Sequence, residues 1–142
     1  MNSASGATSE IRTILPATAE AAEAFFLEFR QHLDHTGRTH SFAAELLMRE
    51  ALNNAVIHGC QGNPGRRIRC FCRINKRRLM IAIHDGGKGF DWRAAAGRRP
   101  GSGASSGRGI EILRRYAHRI RYNEQGNRVT IIRRLAINEE HE

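Results

Sequence analysis

The 142-residue chain is long enough for one domain with a sizeable core and too short for two. With 40% hydrophobic and 26% charged residues and no apolar run of membrane-spanning length, it is neither disordered nor a membrane-spanning protein. The net charge of +9, from 23 Lys+Arg against 14 Asp+Glu, admits nucleic acid, an acidic protein or a phosphate-rich ligand; the 6% aromatic content, with no basic segment interleaved by aromatics, argues against a single-strand nucleic-acid binder.

The opening MNSASGATSE has no charged region followed by an apolar one, so it reads as a short flexible lead over residues 1–9 and not as a secretory signal. Glu10 to Leu15 alternates weakly before Pro16, as an edge strand does. From Thr18 to about Leu33, Ala22, Phe25, Phe26, Phe29 and Leu33 recur at helical spacing and predict an amphipathic helix. After the turn His35–Arg38, Thr39 or Ser41 can cap a second helix that runs to about His58 and is stopped by Gly59 and Gly62-Asn63-Pro64-Gly65.

Arg66 to Ile74 alternates, with Ile68, Cys70, Cys72 and Ile74 on one face and Arg67, Arg69 and Arg73 on the other. A polar turn at Asn75–Arg77 leads to a strand over Leu79–His84, which makes a hairpin. Residues Ala94 to Gly107 lack periodic apolar positions and are long for a connection, which predicts a disordered segment or a functional lid. A third helix is expected over Arg108–Ala117, then a last hairpin of Ile120–Tyr122 and Val129–Leu135 around Gln125-Gly126-Asn127. The acidic residues 137–142 read as a loose tail, leaving a domain over 10–136. The hairpins imply a mostly antiparallel sheet, and the amphipathic helices need an apolar face to cover. The predicted class is α+β, a two-layer α/β sandwich with helices on one face. Cys60, Cys70 and Cys72 form no CxxC and read as buried thiols of a cytoplasmic protein.

Three stretches carry chemistry. In EALNNAVIHG, Glu50, Asn54 and His58 fall at i, i+4 and i+8 of one helix, although asparagine is a poor helix-interior residue. An amide oxygen is a hard neutral ligand for Mg²⁺, and a carboxylate one turn away can polarise a hydroxyl or water. In IHDGGKGFD, Asp85 ends a strand and is followed by Gly87 and Gly89. A carboxylate there accepts hydrogen bonds only, which suits the exocyclic amine of adenine, and glycines allow close approach of a flat base. In GSGASSGRGIEIL, Gly107 and Gly109 bracket Arg108 at the start of a helix, where bare amides bind phosphate oxygens. Each stretch alone also fits a plainer reading: a solvated polar stripe, a Gly-rich turn led by aspartate, or a glycine start to a helix. Their conjunction, in an order that one ATP site requires, is far less common.

With ExxxNAxxH on a helix, then DxGxG, then GxG opening a helix, the chain resembles the GHKL ATPase superfamily over about Glu10 to Leu135. The short form most resembles the anti-sigma-factor serine-protein kinases of bacterial partner-switching systems. The resemblance implies the Bergerat ATP-binding fold, with ATP and Mg²⁺ as cofactors. It implies Glu50 as general base, Asn54 as Mg²⁺ ligand, Asp85 as adenine reader with Gly87 and Gly89 shaping that pocket, and Gly107, Arg108 and Gly109 as the phosphate cradle. Thr130 falls where the family often has a threonine near adenine. Asn53 is assigned to packing or to support of the ligand residues behind the site, not to ligation, and His58 to a structural role. For Arg98 and Arg99, exposure on a loop stands beside neutralisation of γ-phosphate charge on lid closure.

The implied partners are a small STAS-type anti-sigma-factor antagonist, phosphorylated on serine, and a sigma factor or other regulator, with a homodimer expected and no direct contact with nucleic acid or membrane. The alternative is an ATP-binding interaction module that transfers no phosphate.

Overall fold

The computed structural model describes residues 8–35, 42–87 and 105–135. Five strands form one sheet in the order β1-β2-β3-β5-β4, all neighbours antiparallel. They are β1 (Ser9–Pro16), β2 (Arg67–Ile74), β3 (Arg78–His84), β4 (Arg119–Tyr122) and β5 (Arg128–Arg134). Helices α1 (Ala19–His35), α2 (Phe42–Asn53) and α3 (Ser105–Tyr116) cover one face, giving the expected two-layer α+β sandwich. No helix among the described residues is long and apolar enough to cross a membrane.

Thr18 caps α1, its Oγ1 accepting from the Ala21 N–H at 3.1 Å. The stripe read from the sequence faces inward: Phe25, Phe26, Phe29 and Leu33 are all buried. Burying each such side chain contributes about 1.5–3 kcal/mol. Arg49 of α2 ties the first two helices, lying 3.9 Å over the Phe26 ring and 2.9 Å from Glu23.

The alternation in β2 also holds. Cys70 pairs Ile83, Cys72 pairs Ile81 and Ile74 pairs Leu79 across β3, all buried. Directly opposite residues share a face. Ile81 in turn pairs Ile131, which fixes the odd-numbered positions of β3 and β5 on the helix side. The even-numbered positions point away from the helices. Asn75 Oδ1 accepts from the Arg77 and Arg78 N–H groups at 2.8 Å, closing the β2–β3 turn. Asn123 does the same for the β4–β5 turn, where Gly126 has φ +79°.

Two expectations change. The helix predicted from Arg108 begins at Ser105, so Gly107 and Gly109 lie inside its first turns and not before it. The single helix predicted to His58 is an α-helix only to Asn53 and continues as a π-helix over Asn54–Gly59. The residue 1–7 portion of the lead, the tail from 136, residues 94–104 of the segment read as disordered or a lid, and the capping positions Thr39 and Ser41 lie outside the described residues, while 105–107 of that segment are helical.

Candidate functional site

The π segment is where α2 meets the end of β3. Cys60 N–H donates to Ala55 O at 2.8 Å, the i→i+5 pattern, and Gly62 N–H donates to Val56 O at 2.9 Å. Such wide turns inside helices frequently mark functional sites. Glu50 lies in the last α turn and Asn54 opens the π segment, one turn on; both side chains are half-buried. Asn53, expected to pack or to support the ligand residues, is exposed, as is His58.

Gly59 ends the π segment against Asp85. A Cβ on Gly59 would lie 2.2 Å from Asp85 Oδ2, and one on Gly87 would lie 2.3 Å from the Gly59 carbonyl oxygen and 2.9 Å from Asp85 Oδ1. The two glycines and the aspartate therefore form one interlocked contact that tolerates no side chain at either glycine. The free space at Gly87 is taken by the protein itself. Asp85 Oδ1 accepts from the Gly87 N–H at 2.7 Å, and the Cys60 thiol donates to the Asp85 carbonyl at 3.5 Å. Burial pushes the Asp85 carboxyl above its ordinary range; the Gly87 hydrogen bond, His84 and Arg66 oppose that shift.

Asn127 holds the same loop from the other side. It is the buried polar residue among the described core positions. Its Nδ2 donates to Gly87 O at 2.8 Å, its carbonyl accepts from Asp85 N–H at 3.0 Å, and its Oδ1 accepts from Asn123 Nδ2 at 2.7 Å. Sequence reading gave Asn127 only a turn; its offset of one residue from β5, opposite the end of β3, was the available signal.

The third element arrives at the same end of the molecule. Phe42, at the start of α2, stacks edge-on with Tyr116, at the end of α3, with centroids 6.0 Å apart. The two helices pack together and α3 also touches the π segment. They run antiparallel, so the start of α3, with Gly107, Arg108 and Gly109 in its backbone, points toward the Asn54 end of α2. Free N–H groups and the positive end of the helix dipole are presented there.

The structure thus brings together the elements carrying Glu50, Asn54, Asp85, Gly87 and the Gly107–Gly109 segment. It does not bring Thr130 with them. Thr130 pairs Ala82 and Arg121, and so lies on the sheet face opposite the helices. The helix-side neighbour in β5 is Val129, paired with Ile83. Adjacent residues of a strand face opposite sides of the sheet, so the threonine motif position does not carry over to Thr130 on the helix side. Gly89, Arg98 and Arg99 lie outside the described residues.

A search of curated proteins gave no match. Residues 15–133 match the family described as histidine kinase-like ATPase domain. That span takes in every element just described, from the end of β1 to β5, and its sheet, its helix layer and the meeting of the α2 and β3 ends are those of the GHKL ATP-binding fold. The chain belongs to the histidine kinase-like ATPase domain family, within the GHKL superfamily.

Proposed function

We propose that the protein is an ATP- and Mg²⁺-dependent serine protein kinase of a partner-switching system, one that phosphorylates a small antagonist protein of the STAS type and also sequesters a sigma factor or other regulator. The observation that carries the nucleotide half of this reading is the interlock of Asp85, Gly59 and Gly87. It fixes a half-buried carboxylate with one oxygen satisfied from within, at the place where α2, β3 and α3 converge.

Asp85 accepts the adenine amine and excludes a base that presents a carbonyl there. Asn127 keeps the Asp85–Gly87 loop in shape from below. The first turn of α3 receives phosphate oxygens on its N–H groups. Asn54 fits a magnesium site of a particular kind. Among the described residues no three His, Cys, Asp or Glu side chains gather as a metal cluster. A single amide oxygen beside the triphosphate matches the ion's preference for few protein ligands, phosphate oxygens and retained waters. When bound, Mg²⁺ would neutralise phosphate charge. In this reading Glu50, one helical turn before Asn54, accepts the proton of the attacking serine hydroxyl. Pure nucleotide storage has no use for a base at that position.

A phosphotransfer assay with labelled ATP and a candidate antagonist tests the reading. Glu50→Ala is expected to retain nucleotide binding and lose at least about a hundredfold in transfer, the usual contribution of a general base. Undiminished transfer in Glu50→Ala refutes its role, and binding without transfer in the wild type leaves an interaction module.

A further inference from the structure

The sheet face turned away from the helices has a composition that nucleotide chemistry does not account for. In the strands, every charged side chain on it is arginine except Glu10, which is paired with Arg73 at 2.7 Å; this is the one ion pair on that face among the described residues. The placement is ordered. Arg78 and Arg134 are directly opposite each other at one end of β3 and β5. Arg69, His84 and Arg128 form a rank at the other end. Arg12 stands on the β1 edge, and Arg119 and Arg121 stand on the β4 edge. These arginines are all exposed.

Between the two ranks the floor is mostly apolar: Met80 pairs Ile132, and Ala82 lies between Phe71 and the one hydroxyl-bearing residue there, Thr130. From Arg78 to His84 is six residues, or about 20 Å along the strand. A helix with its side chains is about 10–12 Å across, so one lying across the strands fits on the floor and leaves a rank of arginines on either flank.

We infer that this face is a docking surface for an acidic protein segment, an amphipathic helix whose apolar stripe covers Met80 and Ile132 and whose carboxylates meet the two ranks. Charge complementarity selects an anionic partner and disfavours a second copy of the same face, which would set arginine against arginine. Two features favour protein over nucleic acid. Among the described residues the only aromatic ring that the strands place on this face, Phe71, lies beneath the Arg12 guanidinium at 4.5 Å with Arg73 at 5.9 Å, so that ring is closed to a stacking base. An apolar centre rimmed by arginine, with no lysine on the strands of that face, is the anatomy of a protein interface. The surface lies opposite the nucleotide end of the helix layer, so this inference stands or falls apart from the kinase reading.

Fluorescence anisotropy on the full chain, at about 0.15 M salt, tests it with three probes: a synthetic helical peptide with a leucine stripe flanked by glutamates, the same peptide scrambled, and a single-stranded oligonucleotide of similar charge. The ordered peptide is expected to bind tightest. The double reversal Arg69→Glu/Arg128→Glu should weaken it at least about tenfold, and Met80→Gln should weaken it while both variants keep the wild-type thermal melt. Arg115→Glu, exposed on α3, serves as the charge control and should leave binding within about twofold. Tighter binding of the oligonucleotide, equal binding of the scrambled peptide, an equal loss in Arg115→Glu, or a dimer in sedimentation that the double reversal dissolves would each overturn the proposal.

Discussion

Gly59→Ala is a one-atom-group test of how the site is built. The added Cβ would sit 2.2 Å from Asp85 Oδ2, 2.3 Å from Cγ and 2.8 Å from Cβ. Ordinary contact begins at 3.4 Å, so the carboxylate must retreat by 3.4 − 2.2 = 1.2 Å. Asp85 is short, and its Oδ1 is bonded to the Gly87 N–H at 2.7 Å, so it cannot swing aside without losing that bond. Overpacking of this kind costs about 1–3 kcal/mol, and a hydrogen bond to a charged group adds about 1.5–3 kcal/mol if it breaks. Alanine's better helix propensity returns about 1 kcal/mol. The expected net loss is about 1.5–5 kcal/mol with the bond broken, with nucleotide affinity falling by more than tenfold because the carboxylate proposed to read adenine is displaced. Urea unfolding followed by circular dichroism gives the first number and titration with a fluorescent ATP analogue the second. In an Asp85→Ala background the clash shrinks to the Cβ alone, so the same glycine substitution should cost less there. Wild-type stability and affinity in Gly59→Ala would refute the interlock.

Other consequences follow from single groups. Burial raises the Asp85 carboxyl, so between its unfolded value of 3.8 and its folded value the native state binds more protons than the unfolded one. Stability from this group therefore falls as pH rises through that window, and its cost is complete above the folded pKa. Asp85→Asn should flatten that part of the profile and match or exceed wild-type stability at pH 7, measured by urea unfolding from pH 4 to 7; an unchanged profile contradicts the assignment. Asn127→Ala leaves Gly87 O without its buried donor and is expected to cost about 1–3 kcal/mol in the same assay, with weaker nucleotide binding although Asn127 carries no proposed ligand contact. Burial pushes Cys70 up to about 12 and Cys72 further, so both thiols should resist a disulfide reagent at pH 8 until urea unfolds the chain. Phe29→Ala should cost about 3–5 kcal/mol, since that ring is fully buried between the first helix and the sheet.

The sandwich was legible where periodicity was strong. Ile68, Cys70, Cys72 and Ile74 could share a face only in a strand, and Phe25, Phe26, Phe29 and Leu33 only on a helix. Boundaries failed where packing overrode local preference. Gly107 and Gly109 disfavour a helix, yet α3 includes them. The π segment left no mark in Asn54–Gly59, because the hydrogen-bond shift depends on how the helix end seats against β3. The glycine motif was visible, but part of its reason was not. Gly87 makes room for Gly59 O and Asp85 Oδ1, partners that no spacing rule connects. Asn127 contacts Gly87 across forty positions of sequence and was read as a turn residue for the same reason. Thr130 shows the opposite limit: a motif position taken from a strand must be right in parity, and Thr130 pairs Ala82 on the face away from the helices.

Calorimetric titration of MgATP into the wild-type chain and into Asp85→Asn compares a carboxylate with an amide of the same shape at the position proposed to read adenine. A saturable heat at one nucleotide per chain for the wild type, lost in Asp85→Asn, is the expected result. No heat with the wild type, or superimposable isotherms for the two proteins, would contradict the site.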